Sequence, residues 1–229
     1  MGIKYSINEK FFDKWSDKMA YVLGFFYADG SMEDASYLRG KYIRFSSTDG
    51  ELLNEIKMVL KSQHKIYKSP SYGTHKAKYL LRIGSHKLYK SLEKIGLYPN
   101  KSLTIQLPKI PKKYFFDFLR GYLDGDGCIY LEMAKGKKQE KIIKKLSTIF
   151  TSGSKIFLEE LKEKLNNYCK IDKKYVYNSR RSYQLRYGTA DSLKILDLIY
   201  KNKNDKLFLK RKYQTYQKYL EMKNGRMVK

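Results

Sequence analysis

The chain predicts an α+β fold made of two copies of one unit, each running helix, strand, strand, helix, strand, strand, helix. Three observations carry this. The nonamer "VLGFFYADG" (22–30) has a partner in "LRGYLDGDG" (119–127), which matches Gly24 to Gly121, Asp29 to Asp126 and Gly30 to Gly127. The flanks then stay in register, since Phe45 to Gly84 spans 39 steps and Phe150 to Gly188 spans 38. Between the copies, "LPKIPKK" (107–113) holds two of the chain's four prolines and interrupts the pattern. The expected organisation is an N-terminal half over 1–106, a linker over 107–113 and a C-terminal half over 114–229.

Each element has a local reason. The apolar run ending at Asp29 predicts a helix near 17–29. Strands follow near 30–37 and 41–47, where "YIRFSS" alternates apolar and polar residues with the period of two that a half-buried strand requires. "TDGELLNEIKMVLKS" predicts an amphipathic helix near 49–62, and strands near 65–72 and 77–83 lead into a helix near 85–95. In the second half "LSTIFTSGSKIFLEELKEKLN" repeats the strand and helix, with Phe150 in the place of Phe45 and Leu158 and Leu161 on the apolar stripe. "SYQLRYGTADSLKILDLIY" then repeats "KYLLRIGSHKLYKSLEKIG", and Ser85 and Thr189 stand where N-caps of the third helices belong.

The 229 residues are 42% hydrophobic, enough for a core, and 48 Lys and Arg against 23 Asp and Glu leave a formal charge of +25. A polyanion is the natural partner. The charge is interleaved with 22 tyrosines, whereas a disordered basic tail is locally dense and poor in aromatics, so a folded basic surface is expected. The longest apolar run, Met19 to Ala28, falls short of the ~20 residues that cross a bilayer, and "MGIKYSINEKFF" lacks a secretory signal. The expectation is a soluble intracellular protein. Cys128 and Cys169, the only cysteines, lack the spacing of a zinc site or a disulfide framework.

The acids need a separate explanation. Ala20, Gly24 and Ala28 form one smooth stripe at four-residue spacing, as do Gly121 and Gly125, so two helix backbones can pack closely with Phe25, Phe26 and Tyr122 turned into their own halves. Packed side by side, the helices bring Asp29 and Asp126 together at their C-terminal ends. A helix C-terminus disfavours a carboxylate, and a second one beside it is worse. Divalent cations offset that cost, because carboxylates and unpaired carbonyls make a hard oxygen site suited to Mg²⁺.

With these residues in place, the chain resembles the LAGLIDADG homing endonucleases of the single-chain, two-motif kind. Both nonamers keep the central Gly, the acid at the eighth position and the final Gly. At the sixth position Tyr27 replaces the acid that the second copy keeps as Asp124. The resemblance runs from about Trp15 to Tyr213. It implies a pseudo-twofold pair of αββαββα halves with two central packed helices, and two antiparallel sheets forming a saddle that binds double-stranded DNA. It implies metal at Asp29 and Asp126, with the carbonyls of Ala28 and Gly125 assisting. Mg²⁺ is the expected ion, with Mn²⁺ or Ca²⁺ able to substitute in binding. It also implies a basic residue after the third helix of each half. Counting from Gly84 and Gly188 puts these at Lys101 and Lys206, with Lys203, Lys210 and Lys212 as competitors. No histidine base is required, and His64, His75 and His86 all lie in the first half.

Strand alternation nominates the DNA-facing side chains. In the first half these are Tyr42, Arg44 and Ser46, then Lys78 and Arg82. In the second they are Ser147 and Thr151, then Ser182, Gln184 and Arg186. Tyr67, Tyr72, Tyr175, Tyr177 and Arg180 belong to the two hairpins. Arg, Gln, Ser and Thr are the side chains that read base edges, with Lys mainly on phosphates. Both halves keep an arginine at one position, Arg82 and Arg186, while the rest differ, which implies an asymmetric target bound by a monomer with no protein partner required.

The function so expected is site-specific cleavage of one phosphodiester in each DNA strand. The alternatives on the same fold are an RNA maturase acting on an intron RNA and a DNA-binding protein whose nuclease has decayed. A basic ribosomal or membrane-associated structural protein gives no reason for the doubled acid.

Overall fold

The computed structural model describes residues 5–38, 40–71, 77–135, 141–172, 174–201 and 207–223. Among these are seven α-helices and two four-stranded antiparallel sheets. The first half contains α1 (Asp17–Asp29), β1 (Gly30–Ala35), β2 (Gly40–Ser47), α2 (Gly50–Val59), β3 (Ile66–Ser69), β4 (Lys78–Gly84) and α3 (His86–Ile95). The second contains α4 (Phe115–Asp126), β5 (Gly127–Lys135), β6 (Lys141–Ser152), α5 (Lys155–Cys169), β7 (Val176–Ser179), β8 (Ser182–Tyr187) and α6 (Thr189–Lys201), followed by α7 (Lys210–Lys223). The strand orders β1-β2-β4-β3 and β5-β6-β8-β7 are the same order used twice.

α1 starts where Ser16 accepts a hydrogen bond from the Met19 amide at 3.1 Å, and Met19 to Tyr27 are all buried. A helix apolar all round belongs at a centre, and α1 lies against α4. The glycines set how close the two come. A Cβ on Gly24 would stand 1.9 Å from the Phe118 carbonyl oxygen, and one on Gly121 would stand 2.0 Å from that of Tyr21. Backbone therefore meets backbone. Around this contact Phe26 packs on Phe45 and Tyr122 on Phe157, each within its own half. Tyr27 crosses instead, contacting Phe118 and Phe157 of the other half.

Inward rows such as Met32, Ile43 and Ile83, or Phe150, Leu185 and Val176, pack each sheet on its helices. α2 is shorter than its sequence suggests. It begins after Asp49, which accepts from the Leu52 amide, and it ends before Lys61, whose φ of 49° is left-handed. β3 likewise covers four residues of the longer strand expected. Ser85 caps α3 as expected, accepting from the Leu88 amide at 3.3 Å. Thr189 does not cap α6. It is the first helical residue, and its hydroxyl bonds both the amide and the carbonyl of Leu146 on β6.

The segment between the halves is strapped to the second one. Glu160 accepts from the Leu107 amide at 2.6 Å, and Ser154 donates to the Ile105 carbonyl at 2.7 Å. α7 continues past the repeat. Its cue, Tyr213, Tyr216 and Leu220 at helical spacing, lies within a strongly basic segment.

Candidate metal centre and nucleic-acid interface

α1 and α4 end together, each followed by a glycine in extended conformation that starts a strand. The Cβ that Gly125 lacks would stand 2.3 Å from that of Ala28 and 3.4 Å from an Asp29 carboxylate oxygen. Asp29 and Asp126 thus share one locus. Burial raises the Asp29 carboxyl above the usual range, while Lys212, Lys101 and Lys78 pull it down. Asp126 is exposed as a residue, yet partial burial of its carboxyl, and then the Asp29 charge, push it up to about 6 against Lys101 and Lys212. Two carboxylates that raise each other's cost fit a site for a divalent cation.

Each helix end is braced by a buried lysine. Lys101 donates to the carbonyls of Tyr27 and Gly30 at 3.0 and 2.9 Å, bridging α1 to β1. Lys212, in the first turn of α7, donates to Leu123, Asp124 and Gly127 at 2.5, 2.9 and 2.6 Å, bridging α4 to β5. Burial lowers both ammonium groups to about 8, against the nearby acids. Each places its charge where the helix dipole is negative. The carbonyls so taken do not include those of Ala28 and Gly125, the two expected to face metal.

Lys212 is therefore the counterpart of Lys101. Lys206, which the step count selects, lies outside the described residues, as do Lys203 and the hairpin residue Tyr72. Lys212 escapes an equal step count because α6 is three residues longer than α3 and because it rides on α7, a helix with no equivalent among the described residues of the first half. Asp124 also has a defined place. It accepts from the Tyr21 hydroxyl and the Leu209 amide, both at 2.8 Å. The sixth-position acid thus ties α4 to α1 and seats the chain entering α7.

The described residues nominated for DNA share the outward rows of the sheets. Arg44 pairs with Arg82, Ser46 with Leu80 and Leu80 with Tyr67, while Tyr42 lies opposite Gly84 and Lys78 opposite Ser69. In the second half Tyr177, Gln184 and Thr151 form one row, and Arg186 with Ile149 forms the next. Ser147 lies opposite Tyr130, and Ser182 donates to the Ser179 carbonyl across its turn. A concave groove of about 810 Å³ contains Ser147, Thr151, Tyr177, Gln184 and Arg186, with Cys128, Glu132 and Lys145 beside them. Tyr175 and Tyr67 are exposed. Arg180 is at the β7–β8 turn with φ 53°, the left-handed geometry of a tight hairpin.

Glu33 was not anticipated. It lies on the outward face of β1 and binds Arg82 at 3.2 Å (Nε) and 3.0 Å (Nη2), with Arg44 at 3.8 Å. The alternation of β1, Ser31 and Glu33 out against Met32 in, carries that signal. At 37% and 39% side-chain exposure the Glu33–Arg82 pair is worth at most about 1 kcal/mol to folding.

A family model described as "LAGLIDADG-like domain" matches residues 16–96 and 115–209. The fold is that of solved LAGLIDADG nucleases at low sequence identity. The meganuclease I-AabMI, bound to uncleaved DNA, superposes with a TM-score of 0.59 at 18% identity, covering 91% of this chain and 93% of that one. The homing endonuclease I-WcaI, bound to its DNA recognition sequence, gives 0.64 at 14%, with 90% of each chain covered. I-SmaMI, bound to an uncleaved DNA target in the presence of calcium ions, gives 0.59 at 17%, with 93% of each covered. A probable translation initiation factor IF-2 of Thermococcus kodakarensis is 26% identical over 172 residues, which span 71% of this chain and only 13% of that protein. The family model takes in both repeats and both acid motifs, and the chain belongs to the LAGLIDADG family.

Proposed function

We propose that this protein is a site-specific homing endonuclease that binds a long asymmetric DNA duplex as a monomer and cuts one phosphodiester in each strand with divalent metal. The observation that supports this most is the doubled centre. Two acids stand at the ends of glycine-packed helices, and each helix end is braced by its own buried lysine.

Asp29 and Asp126, with the carbonyls of Ala28 and Gly125, would hold the metal. Among the described residues no group of three or more His, Cys, Asp or Glu could hold a metal by itself, so other oxygen donors would have to complete the coordination. Bound Mg²⁺ would polarise the phosphate and lower the pKa of a water. The chain's own residues do the rest. Lys101 and Lys212 hold the two helix-to-strand turns rigid, so the acids do not reorganise when DNA arrives. Their buried charge beside the acids favours the phosphate, and Ser46 donates to the Asp29 carbonyl at 3.2 Å to fix that turn further. The outward rows of the sheets bind the groove and set the register that delivers each scissile phosphate to its acid.

A pure binder or a maturase need not keep two intact acids, so cleavage is the better reading. The short matching segment of the much longer initiation factor suits a nuclease module carried within a host protein. Among the described residues no helix is long and apolar enough to cross a membrane.

The test is cleavage of a duplex library by purified protein with Mg²⁺, against the Asp29→Asn, Asp126→Asn double variant. Wild type should cut both strands at one site, and each single variant should nick or slow one strand. Binding without any cutting across metals would leave the decayed-binder alternative standing.

A further inference from the structure

The two arginines at equivalent positions, Arg82 and Arg186, are each held by the same edge. Glu33 takes the Nε and Nη2 protons of Arg82 at 3.2 and 3.0 Å. Gln184 Oε1 takes the Nε and Nη2 protons of Arg186 at 2.8 and 2.6 Å. The clamps differ in origin, one reaching across from β1 and the other lying two residues back on β8. What they leave open is the same: the Nη1 group and the second proton of Nη2. That pair of parallel N–H groups matches the O6 and N7 acceptors of guanine.

The first-half arginine has a platform as well. Its guanidinium carbon lies 3.5 Å from the centroid of the Tyr42 ring. The ring itself covers two glycines: a Cβ on Gly40 would stand 2.4 Å from it, and one on Gly84 would stand 3.1 Å away. Without side chains at 40 and 84 the ring can lie close over the sheet and carry Arg82 at a set height. Arg44 lies directly opposite Arg82, a like-charge pair that repels across strands. The Glu33 carboxylate reaches both, 3.0 Å from Arg82 and 3.8 Å from Arg44, and offsets part of that repulsion.

We infer that Glu33 and Tyr42 in the first half, and Gln184 in the second, are positioning residues that commit Arg82 and Arg186 each to one guanine of the target. The inference rests on the DNA-binding reading above and goes beyond it to specificity. A phosphate is the wrong partner for Arg82, because the Glu33 carboxylate beside it would repel a second anion, whereas a base edge is neutral. The second half reaches the same presentation with a neutral amide, so its arginine carries more net charge. The two half-sites then differ in salt sensitivity as well as in sequence.

The experiment selects bound duplexes from a randomised library with Ca²⁺ in place of Mg²⁺ and sequences them, for wild type, Glu33→Gln, Tyr42→Leu, Arg82→Ala, Gln184→Leu and Arg186→Ala. Wild type should favour guanine about tenfold or more at one position of each half-site. Arg82→Ala should erase the first preference alone and Arg186→Ala the second alone. Glu33→Gln and Tyr42→Leu should cut the first preference several-fold while the second half-site stays put, and the melting temperature of Glu33→Gln should fall by no more than about 2–4 °C. Total affinity of Glu33→Gln should hold or rise, since a negative charge is gone. Gln184→Leu should do for the second position what Glu33→Gln does for the first. Wild-type strictness in Glu33→Gln overturns the inference. So does a uniform loss at every position, which marks a structural role. Guanine lost in Glu33→Gln but kept in Arg82→Ala overturns it too, because Glu33 would then read the cytosine amine itself. A wild type that selects no sequence at all refutes the DNA-binding reading, and the inference with it.

Discussion

Adding one methyl group at Gly24 tests the centre of this fold. The Cβ of Gly24→Ala would stand 1.9 Å from the Phe118 carbonyl oxygen and 3.0 Å from the Tyr122 amide. Non-bonded heavy atoms settle near about 3.5 Å, so α1 and α4 must part by roughly 1.5 Å. Overpacking a core commonly costs about 1–3 kcal/mol. Here the obstacle is backbone on the facing helix and no rotamer relieves it, which puts the cost at about 3 kcal/mol or above. For a chain of this size that lowers the melting temperature by about 6–12 °C. Gly188→Ala is the control, because nothing lies within 4 Å of its Cβ position. Thermal unfolding followed by circular dichroism reads the stability, and cleavage of a selected target reads the geometry. Parting the helices also displaces Asp29 from Asp126, so activity should fall further than the lost folded fraction explains. If Gly24→Ala melts within about 2 °C of Gly188→Ala and cuts normally, the backbone contact is not what joins the halves.

Three further outcomes are expected. Lys212→Met should leave the carbonyls of Leu123, Asp124 and Gly127 without their donor, costing about 1–3 kcal/mol and most of the cleavage of one strand, as denaturant titration and a nicking assay would show. Mg²⁺ or Ca²⁺ should raise the melting temperature, by up to about 2.7 kcal/mol of added stability at a hundredfold excess over Kd. The Asp29→Asn, Asp126→Asn double variant should lack that response and, freed of mutual carboxylate repulsion, melt higher than metal-free wild type. DNA affinity should fall steeply with salt, by about 10³-fold or more between 50 and 200 mM if six or more phosphates are neutralised, and fluorescence anisotropy across a salt series measures the slope.

Much of the architecture was legible because it is periodic. The doubled acid motif, the strand alternation of "YIRFSS" and the Ser85 cap are local patterns, and local hydrogen bonding and burial express them directly. α1 emerged with the expected bounds, since an apolar run between Ser16 and Gly30 leaves little choice. Thr189 shows where locality fails. It stands in a capping position by sequence, yet its hydroxyl serves Leu146 on a neighbouring strand, because a donor and an acceptor brought 43 residues back in the chain outcompete its own helix end.

The sequence by itself determined the repeat, the two acids and the glycine ridges that must bring them together, because these are spacings along the chain. Only the tertiary structure decided which lysine braces the second helix end, what Asp124 holds, and which side chains clamp Arg82 and Arg186. Lys212 reaches carbonyls 85 to 89 residues away, and Glu33 reaches Arg82 across 49. No step count crosses a longer α6 and an added α7. Lysine is abundant in this chain, and a buried one is told from a solvated one by the carbonyls it meets. Those carbonyls are at hand only once α4 has been turned into β5 and α7 laid beside it.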